Sequence, residues 1–265
     1  MYETNYHRAS SVADAVKLLK KSEDPKVLGG GMTLIPTMKQ RLASPSDLVD
    51  VTKIKELSGI KVSGKTVTIG AATTHYDVAT NEKLAKVCPA LCALASHIGD
   101  PHVRYRGTLG GSIANNDPAA DYPSAMLALN ATIHTDKRTI PADKFFKGMF
   151  ETSLKEGEII TAVEFTAPAK AAYAKFPNPA SRYAMAGVFI AKDKDGVRVA
   201  VTGAGEGGVF RHKGLEAAFD KKFDASAVEG VKIDSKGLMT DMHGSAEYRA
   251  ALIRAMAKRA VAAAA

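Results

Sequence analysis

The chain has 265 residues, of which 46% are hydrophobic and 24% charged, and a formal net charge of +8. That length allows one large domain or two small ones around a sizeable core, and no apolar run approaches the ~20 residues of a membrane-spanning helix. The lysines and arginines are scattered rather than interleaved with aromatic rings, which argues against a nucleic-acid surface, and the basic balance suits a solubilising surface or an acidic protein partner. The opening MYETNYHRAS lacks the apolar core of a secretory signal, so a cytoplasmic location is expected.

In chain order, Ser11 to Lys21 reads as an amphipathic helix. Val12, Ala15, Val16 and Leu19 share one face, and Ser11 with Asp14 forms the start signal. Lys26 to Leu28 is a short strand, and Thr33 to Arg41 is a helix with Pro36 in its first turn. Leu48 to Val51 and Thr66 to Ala71 read as strands, with Gly59 and Gly64 marking turns. Pro89 to Ile98 and Pro123 to Leu129 are helices; Ala131 to Thr135 and Ile159 to Thr166 are strands. Ala167 to Ala172 reads as a linker or boundary. Tyr183 to Lys192 and Gly196 to Thr202 form a hairpin across Asp193 to Gly196. Gly214 to Ala265 is mainly helical, with an alanine-rich end from Ala255 that is expected to fray. Mixed elements without strict βαβ alternation predict an α+β fold.

The two cysteines, Cys88 and Cys92, flank Pro89 at a helix start. An iron–sulfur cluster normally takes four thiolates and a structural zinc site four nitrogen or sulfur ligands, so two thiols supply neither, and they read as reduced core residues. His75 has no second ligand at metal spacing and reads as structural; His97 and His102 likewise lack a cysteine or carboxylate pattern. No nucleophile elbow is present.

Two short glycine loops carry most of the functional signal. The first is Gly29, Gly30, Gly31, Met32 and Thr33; the second is Thr108, Leu109, Gly110, Gly111 and Ser112. Glycine admits positive φ and lets an anion approach without a Cβ in the way. Consecutive N–H groups in such turns form a concave anion site, and hydroxyls add donors, so the pair is expected to grip a diphosphate from both sides. Neither loop matches the G-x-G-x-x-G or G-x-x-x-x-G-K-[ST] fingerprints, and each taken alone reads first as a plain turn. Asp121, nine residues beyond Ser112, reads as an acid at a helix N-terminus ahead of Pro123. Asp117 before Pro118 reads as a cap or turn residue.

The stretches GGGMTLIPTMKQR at Gly29 to Arg41 and IGDPHVRYRGTLGGSIANNDPAADYP at Ile98 to Pro123 resemble the signatures of a known family. These are the FAD-binding medium subunits of the molybdenum hydroxylases, the xanthine dehydrogenase and aerobic carbon monoxide dehydrogenase family, with the carbon monoxide dehydrogenase branch the most similar. The likeness runs from the N-terminus to Ala167 and more weakly to about Gly207. It implies an FAD-binding domain of the vanillyl-alcohol-oxidase (PCMH) type over residues 1–168, with subdomains of about 1–55 and 56–168. It also implies a C-terminal domain over 169–265 with a three-stranded antiparallel sheet and helices.

By the same resemblance Gly29 to Thr33 and Thr108 to Ser112 contact the FAD pyrophosphate. Asp121 binds the flavin nucleotide, Ile98 lies against the isoalloxazine, and Ile160 meets the flavin region through its backbone. Ile98 and Ile160 also read as plain core. Lys175 matches a basic residue near the flavin, and Arg182 and Tyr183 lie in the same segment. Met32 stands where relatives often carry Gln or His, and Ser112 where many carry Asn.

The implied function is electron transfer. The molybdenum cofactor and two [2Fe–2S] clusters would sit on a large and a small partner subunit, in a dimer of heterotrimers that passes electrons through FAD to an external acceptor. A free-standing FAD-dependent oxidase or dehydrogenase of the same superfamily, or a non-catalytic scaffold, are the alternatives. The first would need an acid–base set, and none stands out in the sequence.

Overall fold

The computed structural model describes residues 1–264. The chain opens with β1 (Asn5–Arg8), α1 (Val12–Lys21), β2 (Pro25–Leu28), α2 (Leu34–Lys39) and β3 (Asp47–Asp50). The three strands form a parallel sheet in the order β1-β3-β2. Ser11 Oγ accepts the Asp14 N–H at 3.1 Å, the expected N-cap. Ala15 and Leu19 turn inward onto a small core with Val49, Val51 and Ile54. The first glycine loop is the connection from β2 into α2.

The next region begins with the hairpin β4 (Ile60–Ser63) and β5 (Thr66–Gly70). Six short helices follow: α3 (His75–Thr80), α4 (Glu82–Val87), α5 (Pro89–Ser96), α6 (Pro101–Arg106), α7 (Leu109–Asn115) and α8 (Tyr122–Ala128). Then come β6 (Thr132–Thr135), β7 (Thr139–Pro141), α9 (Ala142–Phe145), the small pair β8 (Phe146–Gly148) and β9 (Glu151–Thr152), and β10 (Ile160–Thr166). An antiparallel sheet in the order β4-β5-β10-β6-β7 results. Its apolar face packs on the helices in the largest core of the molecule, which holds Cys88 and Cys92 as buried free thiols. Pro89 sits in the first turn of α5, where its missing N–H costs nothing.

The last region is β11 (Lys170–Pro177), β12 (Ala184–Asp193), β13 (Gly196–Thr202), β14 (Phe210–Arg211), α10 (Lys213–Lys221) and α11 (Ala246–Ala264). The expected hairpin across residues 193–196 is present as β12 and β13, with Gly196 at φ +116°. The α+β class is as expected, with three particulars revised. The stretch expected as a linker or boundary, 167–172, already contains the start of β11, because Lys170 to Phe176 pair in unbroken register with β12 before a bulge at Pro177. The expected three-stranded sheet carries a fourth, two-residue strand, β14, at its edge. The alanine-rich end stays helical through Ala264, since Met256, Ala257, Ala260 and Val261 bury their side chains.

The two faces of this sheet divide its residues by strand alternation. Val188, Ile190, Val199 and Val201 face α10 and α11. Tyr173, Phe189, Ala191 and Ala200 face the helices of the preceding region and belong to its core.

Candidate functional site

The two glycine loops meet at one cleft of about 350 Å³. Gly29 to Thr33 line it from one side, and Thr108, Gly111 and Ser112 from the other. Ile98, His75, Asp121 and Tyr183 close it.

The loops contribute differently. The amides of Gly29 to Thr33 have no hydrogen-bond acceptor among the described residues. Gly31 holds φ at +74°, which an L side chain would resist. This loop is a run of open donors at a cleft wall, the arrangement an anion requires. In the second loop Leu109 N–H donates to Thr73 O at 3.0 Å and Gly110 N–H to Ala71 O at 2.8 Å. Gly111 N–H donates to Thr108 Oγ1 at 3.1 Å and Ser112 N–H to Thr108 O at 3.0 Å. The expected grip by amides from both sides is therefore one-sided in this conformation. The N-terminus of α7 is already capped from within, leaving the Thr108 and Ser112 hydroxyls and the bare Cα of Gly111 toward the cleft.

Close backbone packing explains the other glycines. A Cβ on Gly30 would lie 1.9 Å from Arg106 O, so the first loop rests directly on the end of α6. A Cβ on Gly107 would meet His75 Nε2 at 2.5 Å, and one on Gly110 would meet the Ala71 Cβ at 2.6 Å. Gly110 and Leu109 thus face the core and do not line the cleft, because α7 is anchored through them to the end of β5. His75 is buried behind the second loop and its N–H donates to Gly107 O at 2.9 Å. Burial, reinforced by the Arg104 guanidinium, pulls its imidazole down to about 4, so the ring is neutral at physiological pH.

Asp121 lines the cleft, yet it makes no side-chain bond to α8 and does not cap it. Its carboxylate is held by β11 instead. Tyr173 donates its hydroxyl to Oδ1 at 2.5 Å, and Lys175 Nζ lies 3.0 Å away. Lys175 also donates to His97 O at 3.1 Å. Both charged side chains are almost sealed from water, 3% exposed for Lys175 and 5% for Asp121. Burial pushes the Asp121 carboxyl up, while Lys175 and Tyr173 oppose that rise. Burial and the neighbouring carboxylate push the Tyr173 hydroxyl well up, keeping it a donor.

Lys175, expected beside the flavin, is therefore engaged with Asp121 and does not line the cleft. Ile160 is also away from it. It is 6% exposed and lies in the sheet core, its backbone in register with Thr135. Ile98 and Tyr183 do reach the cleft. Tyr173 escaped the sequence reading altogether. Its signal was its spacing of two from Lys175, which places both on one face once the segment is known to be a strand. No group of three or more metal-ligating side chains occurs among the described residues, and no helix there is long and apolar enough to cross a membrane.

Comparison with known proteins agrees with this geometry. Residues 2–168 match the family described as "FAD binding domain in molybdopterin dehydrogenase". The carbon monoxide dehydrogenase medium chain of Hydrogenophaga pseudoflava is 35% identical over 97% of this chain and 95% of its own length. The nicotine 6-hydroxylase medium subunit of Paenarthrobacter nicotinovorans is 34% identical over the same shares. Among solved structures, a Cu,Mo-CO dehydrogenase superposes with a TM-score of 0.89 at 31% identity, covering 100% of this chain and 98% of that one. Quinoline 2-oxidoreductase from Pseudomonas putida 86 gives a TM-score of 0.89 at 28% identity, covering 99% and 96%. The chain belongs to the FAD-binding family of the molybdopterin dehydrogenases, as a medium-subunit flavoprotein of an oxidoreductase.

Proposed function

We propose that this chain is the electron-transfer subunit of a cytoplasmic multi-subunit molybdenum hydroxylase. FAD held in the cleft would pass electrons from [2Fe–2S] clusters on a small partner to an external acceptor, and a large partner would carry the molybdenum cofactor and the substrate site. The observation that carries this reading is the cleft between the loops, walled by the five free amides of Gly29 to Thr33 and by the bare Cα of Gly111. A Cβ on Gly111 would meet only Thr108 Oγ1 and narrow the cleft there, whereas one on Gly30 would collide with Arg106 O and push the first loop off α6. Bound FAD would supply the chemistry, because a flavin exchanges electrons singly or in pairs.

The residues of the chain bind and orient. Gly29, Gly30, Gly31, Met32 and Thr33 would hold the diphosphate through their amides, and Thr108 and Ser112 would add hydroxyls. Ile98 and Tyr183 would flank the ring system. Asp121 would accept from hydroxyls of the nucleotide. Leu109, Gly110, Ile160 and Lys175 would act from behind the cleft wall. Residues 1–168 would form the FAD domain and 169–265 a second domain that closes on it. The +8 charge favours partners that are acidic where they dock.

The test is co-expression of the chain with the products of its neighbouring reading frames, followed by cofactor analysis and ultracentrifugation. The reading expects FAD, molybdenum and iron in one assembly of the size of a dimer of heterotrimers. A flavin-loaded monomer with full acceptor activity, or an assembly without molybdenum and iron, would overturn it.

A further inference from the structure

The inner face of the C-terminal sheet is apolar at Ala171, Phe189, Ala191 and Ala200, yet Tyr173 and Lys175 break this pattern side by side. Burying an ammonium costs heavily unless a charge and hydrogen bonds compensate it. Here the compensation crosses from β11 to Asp121 and to the carbonyl of His97.

The surroundings are shaped for this cluster. Gly187 is the register partner of Lys175, and a Cβ there would lie 2.4 Å from the Tyr173 hydroxyl. The same region grips Pro118 and Ala120, just before Asp121. Thr202 donates its hydroxyl to Ala120 O at 2.6 Å, with Pro118 O at 3.1 Å, and Gly203 N–H donates to Pro118 O at 2.8 Å. Segment 118–121 is thus pinned at backbone and side chain by the C-terminal region; α8 holds the Asp121 carbonyl through the Ser124 hydroxyl at 2.7 Å, while the Asp121 carboxylate makes no bond to α8. A carboxylate has about four acceptor sites, so one bond from Tyr173 and one from Lys175 leave capacity for a donor in the cleft.

We propose that Tyr173 and Lys175 are positioning residues for the cofactor: from the C-terminal sheet they orient the Asp121 carboxylate toward a sugar hydroxyl of the flavin nucleotide, so that FAD affinity depends on the docking of that sheet. This rests on the reading that FAD occupies the cleft.

The test titrates the full-length chain with FAD, following flavin fluorescence, and records melting temperatures of the same samples. Tyr173→Phe keeps the ring packed near Phe189, at 6.1 Å between centroids, and removes only the hydroxyl. It should weaken FAD binding about tenfold, in line with the loss of a hydrogen bond to a charged group, with a small change in melting temperature. Lys175→Met should lower both affinity and melting temperature, because the buried Asp121 is left without its cation. The double variant Asp121→Asn, Lys175→Met removes that uncompensated charge. It should recover most of the melting temperature while FAD binding stays at least about tenfold weak.

A Tyr173→Phe chain with wild-type affinity, or a double variant that regains affinity together with stability, overturns the inference. Should Tyr173→Phe fail to fold, the double variant alone decides. A wild-type chain that takes up no FAD overturns instead the reading of the cleft itself.

Discussion

The two glycine loops look alike as strings of residues and serve opposite physical ends. The first is a projecting turn whose five amides stay free. The second is a helix start whose amides are tied to Thr73, Ala71 and Thr108. The first loop is open because it leaves an edge strand, β2, and touches the rest of the cleft mainly where Gly30 lies on the Arg106 carbonyl. The second is closed because α7 must be locked to β5 before it can serve as a wall. One loop offers free donors at the cleft and the other a fixed wall.

The sharpest way to break this contrast is Gly30→Ala. The new Cβ would sit 1.9 Å from a backbone oxygen that cannot rotate away, so the loops must part. We expect a loss of more than about 3 kcal/mol in urea unfolding and no measurable FAD uptake. Wild-type stability would show that the loops do not rest on each other.

Acid probes the backing of the second loop through His75. His75 titrates near its ordinary 6.5 when unfolded and at about 4 in the fold. A base with a lowered folded value contributes stability that is complete above pH 6.5 and lost as pH falls toward 4, because the unfolded chain takes up the proton first. The span corresponds to about 3 kcal/mol. Urea midpoints at pH 7, 5.5 and 4 should show this decline, and His75→Phe should flatten it. A slope unchanged by the substitution would remove His75 from the account.

Within the second loop, neighbouring glycines should separate structure from binding. Gly110→Ala places a methyl 2.6 Å from the Ala71 Cβ and should cost about 2 kcal/mol. Gly111→Ala meets only Thr108 Oγ1, at 3.0 Å, and stands inside a helix, where alanine is favoured by up to about 1 kcal/mol. Its melting temperature should change least of all the variants, while its FAD dissociation constant rises about tenfold or more because the methyl points into the cleft. If Gly111→Ala were to lose stability as severely as Gly110→Ala, the division between core-facing and cleft-facing glycines would be wrong.

Much was legible in the residues themselves. The Ser11 cap and apolar stripe specified α1, and the residues around Gly196 specified a hairpin, because both signals act over a few neighbours. Two cysteines excluded a resident cluster by ligand arithmetic alone. The two glycine loops stood out as a pair, and both line one cleft.

What only tertiary structure decided is which way those residues point. Gly110 and Gly111 are adjacent and chemically identical, and the seating of α7 on Ala71 turns one inward and leaves the other at the cleft. Lys175 and Asp121 are 54 residues apart, so their ion pair exists only because the C-terminal sheet folds back over α8. No local propensity encodes such a partner; it is set by the register of β11 against β12 and by the need to neutralise a charge that burial has removed from water.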